Sequence, residues 1–149
     1  SACSLVEHSF FFLINMSTRR VLSIHVNSAT GLISGIGKPS SHVSLALDGR
    51  TRDTVVIKSE CNPSWHNVLE FDFEPKEDVS KMTMEVTIVD NGLISKSKIG
   101  HASVDMASYV DGDDHELQLE LMTGKNKDKP AGTLNISIKI QEPAKPSKH

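Results

Sequence analysis

The sequence has little of what would indicate a membrane-spanning, disulfide-linked or nucleic-acid-binding protein. Its most apolar run, residues 9–14, is far too short to cross a bilayer. Its two cysteines, Cys3 and Cys61, make neither a disulfide framework nor a metal-ligand pattern, which favours a reducing compartment. Lys and Arg number 16 against 19 for Asp and Glu, and the formal net charge is −3. The chain therefore has no global attraction for nucleic acid.

Residue patterns of an enzyme or a metal protein are also lacking. The seven histidines are scattered, without the spacing of a zinc site and without a Ser, Cys or acid arrangement that would activate a nucleophile. One acidic stretch, residues 111–116, lacks the glycine that an EF-hand loop needs at its sixth position, so we interpret it as a solvated turn. We therefore expect a non-catalytic protein that binds no metal and no cofactor.

The length of 149 residues fits one domain with a short segment on either side. Residues 1–15 are interpreted as an extension or a vector-derived segment, because Met16 opens a stretch that looks like a natural start; their apolar part could instead add a strand or pair two copies. Residues 142–149 have the composition of a disordered tail. The folded unit is expected to cover residues 20–141.

Alternation of apolar and polar residues is the dominant pattern within that unit, and it is typical of half-buried strands. Seven segments show it clearly and an eighth more weakly: 21–26, 42–47, 54–57, 68–73, 82–89, 116–121, 134–140 and, weakest, 99–104. Turn signals such as Asp48-Gly49 and Asn91-Gly92 separate these segments. The sequence predicts an all-β fold, an eight-stranded antiparallel β-sandwich.

Motifs in these strands and turns identify a family. They are Leu22-x-Ile-x-Val26, Ala29-x-Gly-Leu32, Gly37-Lys38, Val43, Asn62-Pro-Ser-Trp65, Leu69-x-Phe-x-Phe73, Val86-x-Ile-Val-Asp90 and Ile99-Gly100. Together they resemble the C2 domain, the second conserved region of protein kinase C, over residues 21–140. The chain opens on the strand that precedes the first loop, and this resembles the type II strand order of that family. Asn62, Pro63 and Trp65 are interpreted as structural residues that cap the turn, stiffen it and fill the core.

The resemblance implies five acidic side chains on two loops that together bind calcium, because a hard dication needs clustered carboxylate oxygens. The corresponding positions fall at or near Ser34, Ser40, Asp90, Asn91, Gly92 and Ser97. Only Asp90 is acidic, and Lys96 and Lys98 accompany it. Since the number of ligand charges sets much of the affinity, we expect a C2 domain that lacks most calcium-ligand acids and does not depend on calcium.

Loops that follow alternate strands of an antiparallel sandwich share one end. In this sequence the loops after the first, third, fifth and seventh predicted strands hold six lysines against three carboxylates, whereas the loops at the other end are acidic. Apolar loop tips beside lysines suit the surface of an anionic membrane, although the same apolar residues could instead close the core. The candidate lipid-binding residues are Ile36, Lys38, Leu93, Ile94, Lys96, Lys98, Lys125, Lys127 and Lys129.

Two functions of different classes are compatible with these observations. The first is docking to anionic phospholipid at the cytoplasmic face of a membrane, as a peripheral protein. The second is a protein–protein interaction or scaffold module, self-association as a homodimer included, that uses an exposed sheet face or edge strand. Salt-sensitive binding to anionic vesicles would favour the first, and lipid-independent binding that survives high salt would favour the second. Nucleic acid is not an expected partner of either.

Overall fold

The computed structural model describes residues 20–32, 37–74, 76–92, 96–123 and 129–141. All strand pairings in these ranges are antiparallel, which confirms the predicted fold class. The strands are β1 (Arg20–Thr30), β2 (Ser41–Leu47), β3 (Arg50–Asp53), β4 (Ser64–Phe73), β5 (Thr83–Asn91), β6 (Lys96–Asp105), β7 (His115–Thr123) and β8 (Lys129–Gln141). Single 3-10 turns at Val79–Lys81 and Met106–Ser108 precede β5 and follow β6.

The strands follow the order β3-β2-β5-β6-β7-β8-β1-β4. Two four-stranded halves meet where β6 and β7 share a single residue pair, His101 with Met122. Strand β1 lies inside its half, between β8 and β4, so the first described strand of the chain pairs with the last. This arrangement agrees with the strand order that the family resemblance implies.

Side chains from both halves form one apolar core, as the alternating pattern predicts. On β1, Leu22, Ile24 and Val26 are fully buried, whereas His25 between them is exposed. Phe71 and Phe73 of β4 supply the largest fully buried side chains. Each such side chain stabilises the fold by about 1.5–3 kcal/mol relative to an exposed position.

The predicted strand at residues 54–57 is wrong. Asp48 and Gly49 both have positive φ, 51° and 77°, as a two-residue turn that matches the twist of a hairpin requires. The chain therefore reverses at once, and Arg50 pairs with Leu47. Only Ile57 keeps an isolated bridge, so residues 54–63 form the connection to β4. The apolar alternation of 54–57 was misleading because the turn had already set the register.

Strands β3 and β4 stand at opposite ends of the strand order, and arginine side chains join them. Arg50 Nη1 donates to the carbonyl oxygen of Asp72, and Arg52 Nε donates to that of Glu70 at 3.0 Å. Both carbonyls lie on the outer edge of β4, which would otherwise be open to strand addition. We call this junction the β3/β4 seam.

The same guanidinium groups also cover the core at the seam. Their Cζ atoms lie 5.1 and 5.0 Å from the ring centroids of Phe73 and Phe71. Farther along, the backbone N–H of Val55 donates to Asn67 Oδ1 at 2.8 Å. Cation–π contact and hydrogen bonding thus close the sandwich where no backbone ladder is described.

Candidate functional site

Antiparallel pairing gathers the connections after β1, β3, β5 and β7 at one end of the sandwich. The described lysines there are Lys38, Lys58, Lys96, Lys98 and Lys129, and all five are exposed. The described acids of the same end are Glu60 and Asp90, which are only partly exposed, and Asp53, which ends β3 and is exposed. We call this end, defined by those eight residues, the basic end.

Ser40 connects three of the loops at the basic end. Its backbone N–H donates to Asp90 Oδ1 at 3.1 Å, and its carbonyl accepts from the backbone N–H of Asn91 at 2.7 Å. Its hydroxyl oxygen accepts from the backbone N–H of Ser59 at 3.1 Å. The carboxylate of Asp90 therefore receives a donor from the first loop, at the position where the family resemblance implies a calcium ligand.

The side chain of Asn91 extends this network to β2. Its Nδ2 atom lies 2.8 Å from His42 Nδ1 and donates to the carbonyl of Ser40 at 3.2 Å. Because an amide nitrogen only donates, His42 Nδ1 is the acceptor in this contact. Asn91 therefore serves as a connector between strands.

The Asn-Pro-Ser-Trp motif fastens the β3–β4 connection to the end of β1. Asn62 Oδ1 accepts from the backbone N–H of Gly31 at 2.8 Å, and the carbonyl of Pro63 accepts from Ala29 at 2.9 Å. Pro63 itself is buried. These contacts hold two loops of the basic end together.

Trp65 lies in the core directly beneath these loops. It is 5% exposed, and its Nε1–H donates to the carbonyl of Ser41 at 3.1 Å. The pairing register of β1 with β4 shifts between Val26 and Ser28 of β1. On β4, His66, which follows Trp65, has a positive φ of 47°. This irregularity in β4 is of the kind that redirects a side chain relative to a regular strand.

Several of the predicted site residues lie outside the described ranges. They are Ser34, Ile36, Leu93, Ile94, Lys125 and Lys127. Of the remaining predicted positions, Lys38, Lys96, Lys98 and Lys129 are exposed at the basic end, as are Gly92 and Ser97. The structure thus brings together the described lysines of four connections.

Sequence reasoning missed three residues of the connection between β3 and β4. Lys58 is exposed, and so are Val55 at 55% and Val56 at 43%. They were overlooked because residues 54–57 were expected to form a strand and the loop was expected to begin at residue 59. The Asp48-Gly49 turn was the signal that could have corrected both expectations.

The opposite end of the sandwich carries acidic side chains. Its exposed carboxylates, which define the acidic end, are those of Asp48, Glu74, Asp78, Asp105, Asp111, Asp113, Asp114 and Glu116. His115 Nε2 donates to Asp111 Oδ1 at 2.7 Å, and this hydrogen bond lowers the pKa of Asp111 below its usual 3.8. The hydroxyl of Ser80 lowers the pKa of Asp78 in the same way.

The described residues contain neither a metal-binding cluster nor a membrane-spanning helix. No group of three or more His, Cys, Asp or Glu side chains is placed there to hold a metal ion. Neither 3-10 turn is long or apolar enough to cross a membrane, and those ranges hold no other helix.

Comparison with known proteins places this fold and these motifs in a family. A family model described as "C2 domain" matches residues 20–122. Myoferlin of Mus musculus is 28% identical over 131 residues, which cover 85% of this chain and 6% of myoferlin. Extended synaptotagmin-1 of Homo sapiens is 29% identical over 136 residues, which cover 85% of this chain and 11% of that protein. This chain therefore spans only a small part of the curated relatives it matches.

Solved structures agree with the sequence comparison. The C2A domain of a plant extended synaptotagmin 1 superposes with a TM-score of 0.70 at 22% identity, over 84% of this chain and 96% of that domain. At such identity the likeness shows the fold alone. The family model and the shared fold together show that this chain belongs to the C2 domain family.

Proposed function

We propose that this C2 domain docks to anionic phospholipid membranes through its basic end and does so without calcium. The observation that carries the proposal is the contrast at that end between five exposed lysines and an acid that is already hydrogen bonded. Asp90 accepts from the Ser40 backbone, while Lys96 and Lys98 flank it on β6 in exposed positions.

The calcium part of the proposal depends on charge and on hydrogen bonding. A calcium site needs six to eight oxygen ligands, several of them carboxylates. Here Ser40 occupies one of the expected acidic positions, and its groups are engaged with Asp90, Asn91 and Ser59. A dication would also be repelled by the surrounding lysines.

The membrane part of the proposal depends on surface charge. Each Lys near an anionic leaflet contributes about 1 kcal/mol, and the attraction falls off within a Debye length. Val55 and Val56 expose apolar surface on the same loop as Lys58. Ile36, Leu93, Ile94, Lys125 and Lys127 stay predicted members of the lipid-binding set. A few basic residues by themselves give weak attachment, so docking through this surface is proposed to be peripheral and reversible.

Vesicle co-sedimentation tests the proposal. We expect binding to vesicles that contain phosphatidylserine, equal in calcium and in chelator, and weaker at high salt. The double variant Lys96→Glu, Lys98→Glu should bind at least tenfold more weakly, because two attractive charges become repulsive. The matched control is Lys76→Glu, Lys81→Glu, which makes the same charge change at the acidic end and should bind as the parent does.

Three outcomes would overturn the proposal. Binding that appears only with calcium would contradict the calcium-independent mode. Equal losses in the two double variants would show that net charge, and no particular surface, governs binding. Absence of binding to every vesicle would also reject the proposal and favour the protein-partner function.

The domain is proposed to act by binding alone, at the cytoplasmic side of a membrane. The C2 family is a family of non-catalytic modules, although some of its members belong to larger enzymes. The alternative function, a protein-interaction or scaffold module, has one obstacle at β4. A strand added there, from a partner or from a second copy, would have to displace Arg50 and Arg52 from the carbonyls they occupy.

A further inference from the structure

The outer face of strands β1, β8 and β7 contains a groove away from the basic end. It is a shallow groove, open to solvent, with a volume of about 570 Å³. Polar side chains line it, namely Asn27, Glu116, Gln118, Asn135 and Ser137. The register places Gln118 opposite Asn135, and Glu116 opposite Ser137. The lining therefore forms two polar rows that cross neighbouring strands.

An irregularity in β1 completes the first row. The register of β1 with β8 shifts between Val26 and Ser28, and Asn27 is the residue without a partner in the ladder. A bulge of this kind re-aims its side chain. Asn27 consequently joins Asn135 and Gln118 in the wall of the groove.

The groove offers hydrogen-bonding groups that the protein itself uses little. Asn135 Nδ2 donates to Ser28 Oγ at 3.3 Å, and in the described ranges no side-chain hydrogen bond or ion pair involves Asn27, Gln118 or Glu116. Three amides supply donors and acceptors, and Glu116 supplies acceptors only. A ligand that matches this set presents N–H donors along with carbonyl acceptors.

The charge of this face selects among such ligands. Strands β7, β8, β1 and β4 turn four carboxylates outward below the loops; the cations beside them are Lys139 of β8 and, at the edge of β4, Arg50 and Arg52 of the β3/β4 seam. The four are Glu70, Asp72, Glu116 and Glu120. A phosphate or an acidic peptide would be repelled, and an apolar ligand would leave the amides unpaired.

We propose that this groove binds a peptide segment that carries an arginine or lysine. The basic side chain pairs with Glu116, and the peptide's main-chain amides pair with the side chains of Asn27, Gln118 and Asn135. Since the groove lies on a sheet face and not among the loops, a peptide there and a membrane at the basic end can be bound at the same time.

Backbone and side-chain amide NMR of the full chain tests the proposal. A capped Ala-Arg-Ala tripeptide at millimolar concentration should shift the side-chain NH₂ signals of Gln118 and Asn135 in a saturable manner. A capped Ala-Glu-Ala tripeptide and glucose should leave them unmoved. Glu116→Gln should weaken the arginine peptide about two- to fivefold, as expected for one solvent-exposed ion pair.

Glu120→Gln provides the matched control, because Glu120 faces outward on the same strand, outside the groove lining, and loses the same charge. It should bind the arginine peptide as the parent does. Equal weakening by both variants, equal shifts with the acidic peptide or glucose, or no saturable shift at all would overturn the proposal.

The outcome is separable from that of membrane docking. Glu116→Gln should leave vesicle binding unchanged, and Lys96→Glu, Lys98→Glu should leave the peptide titration unchanged. A peptide titration that changes in the lysine variant would contradict a groove site.

Discussion

Each end of the sandwich ties one charge of its rarer sign into the fold by hydrogen bonding, although the signs are opposite. At the basic end the acid Asp90 takes a backbone donor from Ser40. At the acidic end the cation Arg50 pairs with Glu77 at 2.8 Å, and the two side chains are only 33% and 21% exposed. Arg20 donates to the carbonyl of Glu77 as well.

The majority charge is left to solvent at both ends. The five described lysines of the basic end are exposed, and so are the carboxylates of the acidic end. Lys76 and Lys81, whose side chains are 84% exposed, also lie at the acidic end, so hydrogen bonding withdraws only part of the rarer charge from solvent there. Local hydrogen bonding, and not composition alone, decides which charges a membrane or a partner meets.

Core truncations beneath each end should give the largest effects. Trp65→Ala removes a large buried side chain and its bond to Ser41, and should lower the free energy of unfolding by about 3–5 kcal/mol. Met106→Ala, beneath the acidic end, should cost about 2–5 kcal/mol. Urea unfolding should be followed by circular dichroism for both variants. Trp65 is the one tryptophan of the chain, so its replacement removes the tryptophan fluorescence signal.

These two truncations should differ in vesicle binding. Trp65→Ala should weaken it while the protein is still folded, because Trp65 supports the strand and loop that position Lys38 and Lys58. Met106→Ala should leave it unchanged. Equal weakening by both would mean that overall stability, and not the arrangement of the basic end, sets the affinity.

Breaking the ion pair at the acidic end should have the next largest effect. Glu77 accepts from Arg50 and from the backbone N–H of Glu74 at 2.8 Å. Glu77→Ala should therefore reduce stability by about 1.5–3 kcal/mol, as is usual for hydrogen bonds to charged groups. Glu74→Ala is the control, because the Glu74 carboxylate only approaches Lys76 in solvent, and it should cost less than about 0.5 kcal/mol. Similar losses in both variants would contradict the special role of Glu77.

Neutralising Asp90 at the basic end should lower the free energy of unfolding less than the Glu77 variant does, and its main effect should be on the surface charge. Asp90→Asn keeps an oxygen acceptor for the Ser40 backbone, so stability should fall by about 1 kcal/mol or less. Binding to anionic vesicles should stay equal or become tighter, in calcium and in chelator alike. A loss confined to calcium-containing buffer would identify Asp90 as a metal ligand and reject the calcium-independent mode.

The smallest expected effect is an acid dependence at the acidic end. The lowered pKa values of Asp111 and Asp78 mean that their folded forms bind protons less readily than the unfolded chain. Their stabilising share is complete above pH 3.8 and is lost as the pH falls through the lowered values. Asp111→Asn should flatten the decline in melting temperature between about pH 4 and about pH 2. An unchanged decline would show that Asp111 does not contribute.

Alternation in the sequence was sufficient to predict the fold, because most strands have one buried and one solvated face. It failed at β3, whose residues Arg50–Asp53 have no apolar member and whose register comes from the turn before them. It could not predict the β3/β4 seam either, since contacts between arginines and the carbonyls of a distant strand produce no periodic pattern in the sequence.

The candidate site was predictable in its charges and unpredictable in its contacts. Lys96 and Lys98 stand next to an Asn-Gly turn signal, so their position at a loop could be inferred. The bond from Ser40 to Asp90 joins residues fifty positions apart, and only the β2–β5 register brings them together. Lys58 was missed because its position depends on where β3 ends.

The place of β1 between β8 and β4 also determines when β1 can complete its pairing during translation. Leu22 of β1 pairs with Ile140 of β8. The first of the described strands therefore gains its β8 neighbour only when almost the whole domain has been translated. At cellular rates of about 5–20 residues per second, this delay is on the order of ten seconds. Until then the apolar side of β1 has no complete sheet to join, and a nascent chain arrested before residue 134 should be bound by chaperones and cut readily by protease.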